Sequence, residues 1–433
     1  MRRVVITGLG VICPLGNTTE ALWEALAARR SGVTAVPEGQ QTLARAFAGQ
    51  ASHFTGSIED FGPLEAEAKK AIRKGLKVMC RESQMGVAAA QRALADASFT
   101  AGAHDPERCG VVYGSDYMLT APDEFIEPIR ACAPEDRRFE FIRWASTGMG
   151  RLSPLWLLKY LPNMPASHIA IYNDLRGPNN SLTHREAAAN LAVGEAFRVI
   201  QRGHADMMVA GATGTRVHPM KALHAVLQEE IAPNDNEPAR ASRPFDLQRT
   251  GMVLGEGAGA IVLEELNAAR ARGARIYAEI VGAGSSSVVD RQRVARRDQA
   301  MCNALRAALR DAQSRVTEVG HINSHGLGTR SGDAQEAAAI GEVFGELAAK
   351  VPVTAVKSYF GNLGAGSGMV ELAASTLALG HNQLFPILNF ETPDPESPVA
   401  AVTNGSVAPG DSFLNVNVTP QGQAACVMVR RCA

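Results

Sequence analysis

The sequence predicts an α/β protein made of two similar halves, on three observations. Short β-branched runs alternate with longer Ala/Leu/Glu/Arg segments, the pattern of strands interleaved with helices. The series restarts near residue 270 with no long Gly/Ser/Pro linker, so one α/β unit reads as duplicated and packed as a single body, residues 1–265 and 266–433. Of the 433 residues, 46% are hydrophobic and 20% charged, enough length and apolar content for a large buried core.

The elements follow in order. "RVVITGLG" is a buried first strand, and the two arginines before it resemble the start of a secretion signal only superficially, because Gly8, Gly10, Pro14 and Gly16 break the apolar run. A helix over "TTEALWEALAARRSG" precedes the strands "CGVVYGS", "ADMMVAGA" and "GAIVLEEL". Between them, "SLTHREAAANLAVG" (181–194) reads as an alanine-rich helix leaving a polar turn. The second series is the strand "RIYAEIVGAG", a helix over "ARRDQAMCNALRAALRDA", the strand "HINSHG", a helix over "AQEAAAIGEVFGEL", the strand "VPVTAV" and a helix over "MVELAASTLALG". No stretch of about 18 apolar residues runs free of charges and helix breakers, so no membrane span is expected.

Charge and cysteine usage exclude several classes. A net charge of -1 gives no bulk field favouring nucleic acid or an anionic membrane. The seven cysteines form no CxxC pair and no zinc-spaced cluster with histidine, which predicts packed, reduced thiols of a cytoplasmic protein and neither a metal nor a cofactor. "GLGVICPLG" begins G-x-G after a strand, but Cys13 and Pro14 stand where a dinucleotide fingerprint needs Gly or Ala opening a helix. "GNLGAGSGM" lacks the Gly-Lys-Ser/Thr ending of a phosphate loop, so its small residues are expected to permit close backbone packing.

Two turns carry candidate chemistry. "HINSHGLGTRSGD" sets His325 after a strand, in a glycine-rich turn before a helix whose start Asp333 and Glu336 are expected to cap. "TAVKSYFGNLGAGSGMVE" sets Lys357 and Asn362 in an equivalent strand-to-helix turn. Loops at the carboxyl ends of parallel strands converge, so the two turns together point to a site where a lone histidine would not.

In the order and spacing of "LRGPNNS", "GHADMMVAGATG", "PFDLQRTGMVLGEGAGAIVLEEL", "NSHGLGTRSGDAQEA" and "VKSYFGNLGAGSGMVE", the chain resembles the elongating β-ketoacyl-acyl-carrier-protein synthases of the thiolase superfamily. The resemblance implies a thiolase-like five-layered αβαβα fold of two duplicated halves, a dimer that pairs through the strand around "LRGPNNSL", and an acyl carrier protein as partner. It also implies a nucleophilic cysteine at the turn into a buried helix, with two histidines in the other half. Counted without a gap between Gly177-Pro178 and Gly203 to Asp206, the cysteine position is Glu186. The first histidine is matched by His325, the second by Asn362, and the lysine before it by Lys357.

A carboxylate is a poor thioester-forming nucleophile, so condensation by the covalent route is not expected. Thr183, His184 and Arg185 replace small residues before it. Thr419 and Pro420 stand where the family has a flexible Phe-Gly-Gly gate, and Asp116, Tyr117 and Met118 replace smaller residues near the expected tunnel end. These changes place Tyr117, His184, Arg185 and Thr419 at the substrate pocket. Thr183-x-x-Glu186 is also a capping-box pattern, so the alternative is that Glu186 only caps its helix.

Lys69, Lys70, Arg73, Lys74 and Lys77 fall on one helical face, either a solvated surface or a dock for the acidic carrier protein. Three functions remain open. One is a chain-length-factor-like partner of an active ketosynthase in fatty-acid or polyketide synthesis, as a homo- or heterodimer. Another is a malonyl-carrier-protein decarboxylase working through His325 and Asn362, and the third is an acyltransferase with Glu186 as general base.

Overall fold

A computed structural model describes residues 2–37, 46–100, 102–133, 138–234 and 237–432. Its strands are β1 (Val4–Ile12), β2 (Thr34–Ala35), β3 (Phe47–Ala48), β4 (Cys109–Ser115), β5 (Asn179–Thr183), β6 (Met207–Thr215), β7 (Glu256–Glu265), β8 (Ala278–Ser287), β9 (His321–Asn323), β10 (Val353–Thr354), β11 (Ser412–Val418) and β12 (Gln423–Arg430). β2 and β3 form a small ribbon. The other ten form one sheet in the order β10-β9-β11-β12-β8-β1-β7-β6-β4-β5.

That order repeats. From the centre outward, β1-β7-β6-β4-β5 and β8-β12-β11-β9-β10 run through equivalent strands, with the outer three of each set parallel and the inner ones antiparallel. The two sets join only where Val4 to Ile6 of β1 face Ile280 to Ala278 of β8.

Helices make the remaining layers. The helices Ala188–Gln201 and Ser367–His381 pack on each other and on strands of both sets, which makes them the middle layer. In the second, every residue from Ser367 to Leu379 is buried, as its alanine- and leucine-rich composition on all faces requires. The helix Arg81–Asp96 covers β1, β7 and β6 from one outer side, and Arg297–Asp311 covers β8, β12 and β11 from the other. Helix, sheet, helix, sheet, helix is the thiolase-like α/β architecture.

Both glycine loops serve packing. A Cβ on Gly10 would lie 2.0 Å from the Ala89 carbonyl oxygen, and one on Gly366 would lie 2.1 Å from that of Gly257. No helix among the described residues is long and apolar enough to cross a membrane.

Candidate active site

Three turns converge where the middle helices meet the strand ends. At the first, β5 ends at Thr183 and a single 3-10 turn, Arg185–Ala187, leads into the helix Ala188–Gln201. Arg185 takes a positive φ of 48°, a strained bend that turns the next side chain inward. Glu186 is 1% exposed. Its Oε1 accepts from Arg216 Nη2 and, at 3.1 Å, from Asn362 Nδ2, while Arg185 Nε lies 3.4 Å from Oε2. Of the two alternatives for Glu186, the capping box is not formed: no side chain caps this turn, and buried guanidiniums give the carboxylate stronger, charge-assisted partners than a helix amide.

Each donor is anchored by something else as well. Arg216, fully buried at the end of β6, also lies 3.5 Å from Asp116 Oδ2, and Arg185 Nη2 donates to Glu229 at 2.7 Å. Asn362 Oδ1 accepts from the Gly364 amide at 3.0 Å and from Ser367 Oγ at 3.2 Å. Burial alone would push the Glu186 carboxyl up, but the Arg216 and Arg185 guanidiniums outweigh it and hold it well below the usual carboxylate range. Burial, and then the Glu186 charge, push the Glu229 carboxyl up.

The second and third turns hold His325 and Lys357. Lys357 Nζ donates to the His325 carbonyl at 2.8 Å, lies 3.3 Å from His325 Nδ1 and is paired with buried Glu371. Asn417 Nδ2 donates to the other Glu371 oxygen at 2.7 Å. Burial, and then the Lys357 ammonium, hold the His325 imidazole well below its ordinary value, so it is neutral at pH 7.

Asp333 and Glu336 do not cap their helix, which is a second correction. Thr329 Oγ1 takes the Gly332 amide instead. Glu336 accepts from the His325 and Gly326 amides at 2.6 and 2.8 Å, and Asp333 accepts from those of Leu327 and Gly328. The two acids hold the histidine turn because its own buried amides fold back onto them.

The remaining candidates sit apart. Tyr117 is half-buried, its hydroxyl 3.2 Å from His224 Nδ1 and its ring 5.2 Å from Lys221 Nζ. His184 leaves the cluster: its Nδ1 lies 3.4 Å from Gln423 Oε1, beside a cavity of about 370 Å³ lined by Leu182, Asn190 and Ala283. Thr419 is buried at the foot of a tight turn, Thr419–Gly422, that joins β11 to β12. Lys70, Arg73, Lys74 and Lys77 are exposed, whereas Lys69 is half-buried with Glu59 3.6 Å away.

Sequence reasoning missed Arg216 and Glu229, which join the Glu186 cluster, and Glu371 and Asn417, which brace Lys357. A cation directly after the apolar run of β6 was the available signal for Arg216.

With the fold and this arrangement in view, the comparisons with known proteins define the class. Residues 1–269 match the β-ketoacyl synthase N-terminal domain and residues 277–391 the β-ketoacyl synthase C-terminal domain. The chain belongs to the β-ketoacyl synthase family, of the thiolase-like fold. It is 32% identical over 403 residues to 3-oxoacyl-[acyl-carrier-protein] synthase 2 of Synechocystis sp., covering 91% of this chain and 89% of the relative. Among solved structures, a type II polyketide synthase acyl-carrier protein in complex with its ketosynthase bound to the hexaketide matches with a TM-score of 0.85 at 25% identity. The ishigamide ketosynthase/chain length factor matches with 0.80 at 28%. Both matches cover 100% of each chain. The chain is thus a ketosynthase-like protein of fatty-acid or polyketide biosynthesis.

Proposed function

We propose that this chain is a non-condensing ketosynthase homologue acting as a chain-length-factor-like partner of an active ketosynthase. In this reading its two halves are residues 1–265 and 266–433, and Glu186 stands at the nucleophile position. One observation carries it: a carboxylate fills that position and accepts from the amide of Asn362, whose nitrogen donates only to it and to Met252 Sδ at 3.0 Å among the described residues. Neither a thioester nor an enolate is served by that arrangement. A carboxylate held by two guanidiniums is a weak nucleophile, and a fixed negative charge opposes the oxyanion that decarboxylation would develop beside it. The decarboxylase alternative is disfavoured because Asn362, one of its two carbonyl-polarising groups, is already committed. Arg185 and Asp116 crowd the nucleophile position through Glu186 and Arg216, whereas Tyr117, His184 and Thr419 stand outside that cluster.

The partner in this reading meets the β5 edge, whose five residues are exposed or half-buried. The test is to purify the chain with the intact-cysteine ketosynthase encoded nearest to it. A heterodimer that elongates acyl chains is expected, with the chain alone neither elongating nor releasing carbon dioxide from malonyl-carrier protein above the His325→Ala background. Carbon dioxide release that depends on His325 would replace this reading with the decarboxylase.

A further inference from the structure

Glu186 is held by donors from three separate chain segments: Arg185 in its own turn, Arg216 at the end of β6, and Asn362 in the loop before the helix Ser367–His381. Each of them has a second partner besides Glu186. Arg216 keeps Asp116, Arg185 keeps Glu229, and the Asn362 carboxamide is oriented by Gly364 and Ser367. Two guanidiniums with one carboxylate each are already balanced, so Glu186 is a third anion in a cradle that others have assembled. Four atoms there have no hydrogen-bond partner although they are buried: Glu186 Oε2, Arg185 Nε, Arg216 Nε and Asp116 Oδ2. Two of the four, Arg185 Nε and Arg216 Nε, are donors, so donor capacity in the cradle exceeds what one tethered carboxylate uses.

We propose that Arg216, Arg185 and Asn362 form a binding site for a small monocarboxylate, occupied in cis by the Glu186 side chain. Shortening that side chain opens the site to a free carboxylate. Glu186→Ala removes a CH2 and a carboxylate, the heavy atoms of acetate, and fixes the size of ligand admitted. Formate and acetate fit the space left, butyrate exceeds it, and acetamide has the shape of acetate without its charge. The inference is independent of the partner reading, because it concerns the isolated chain and asks for no reaction.

The experiment is thermal unfolding of the wild type and of Glu186→Ala in sodium acetate, formate, butyrate or chloride at equal ionic strength, with acetamide as the neutral control. Acetate and formate should raise the melting temperature of Glu186→Ala saturably, while butyrate, chloride and acetamide should not, and the wild type should respond to none of them. Adding Asn362→Ala to the variant removes one donor and should weaken acetate binding by about tenfold. A Glu186→Ala melting curve indifferent to acetate, or a wild type that responds equally, overturns the proposal. Should the variant be insoluble as made, refolding from urea gives the same decision. Recovery in acetate and not in acetamide is expected; equal recovery, or none in acetate, overturns it.

Discussion

Arg216 is the side chain on which the cluster turns, since it is fully buried and touches both Glu186 and Asp116. Arg216→Met would leave Asp116 without its guanidinium partner and Glu186 with only Arg185 and Asn362. Losing one partner of a buried ion pair costs about 3–5 kcal/mol, so urea unfolding at pH 7 should show a loss of that size. A loss of only about 0.5 kcal/mol, ordinary for a surface site, would contradict the arrangement.

The same cluster sets an acid limit. A carboxyl whose folded pKa lies below its unfolded value adds stability above the ordinary glutamate range, about 4.3, and loses it as pH falls towards the folded value. From pH 6 down to pH 3, wild-type stability should therefore fall more steeply than that of Glu186→Gln, and parallel profiles would contradict the sign. That His325, Lys357 and Asn362 lie in strand-to-helix turns was legible from the spacing, whereas Glu186 was placed only by its count within the family resemblance. Arg216 and Glu229 were not legible, because what makes them partners is contact across 30 and 44 residues, which no local pattern reports. The same blindness misassigned Asp333 and Glu336, whose spacing matches a cap while their oxygens serve a loop folded back on them.

At the scale of elements, periodicity located the long helices and the apolar strands. It did not locate β5, whose "NNSLT" has no apolar face to alternate and stays a strand through its pairing with β4. Nor did it fix the length of β9, three residues where "HINSHG" suggested a longer run, because past Ser324 the His325 and Gly326 amides fold onto Glu336. The helix Ala66–Gly75 buries only Ile72 and leaves its lysines outward, so its basic face is available to a partner. We expect Lys70→Glu with Lys74→Glu to weaken binding of acyl carrier protein at low salt and to flatten its salt dependence, measured by titration at two ionic strengths. Unchanged affinity at low salt would leave the face as a solvated surface.

Over the whole molecule, the duplication was legible because the strand series restarts, and the observed strand order repeats from the centre outward. The family resemblance also names the strand around "LRGPNNSL", which runs into β5, as the pairing edge. β5 pairs with β4 on one side, and among the described residues no strand pairs with its outer edge, while exposed Phe141, Ile142 and Leu157 lie in the segment leading to it. An edge and apolar surface of this kind call for a second subunit. Light scattering of the chain at micromolar concentration should give twice its 45.8 kDa mass, and a stable monomer would contradict the paired edge.

The central claim is that Glu186 ends covalent acyl transfer at this position, and intact-protein mass spectrometry after incubation with acyl-carrier protein tests it most directly. The account predicts an unchanged mass for the wild type. It also predicts an unchanged mass for Glu186→Cys, where Arg185, Asp116 and the Thr419-Pro420 turn still restrict the pocket. A stable acyl adduct on the wild-type chain, mapped to the segment 181–194, would contradict it.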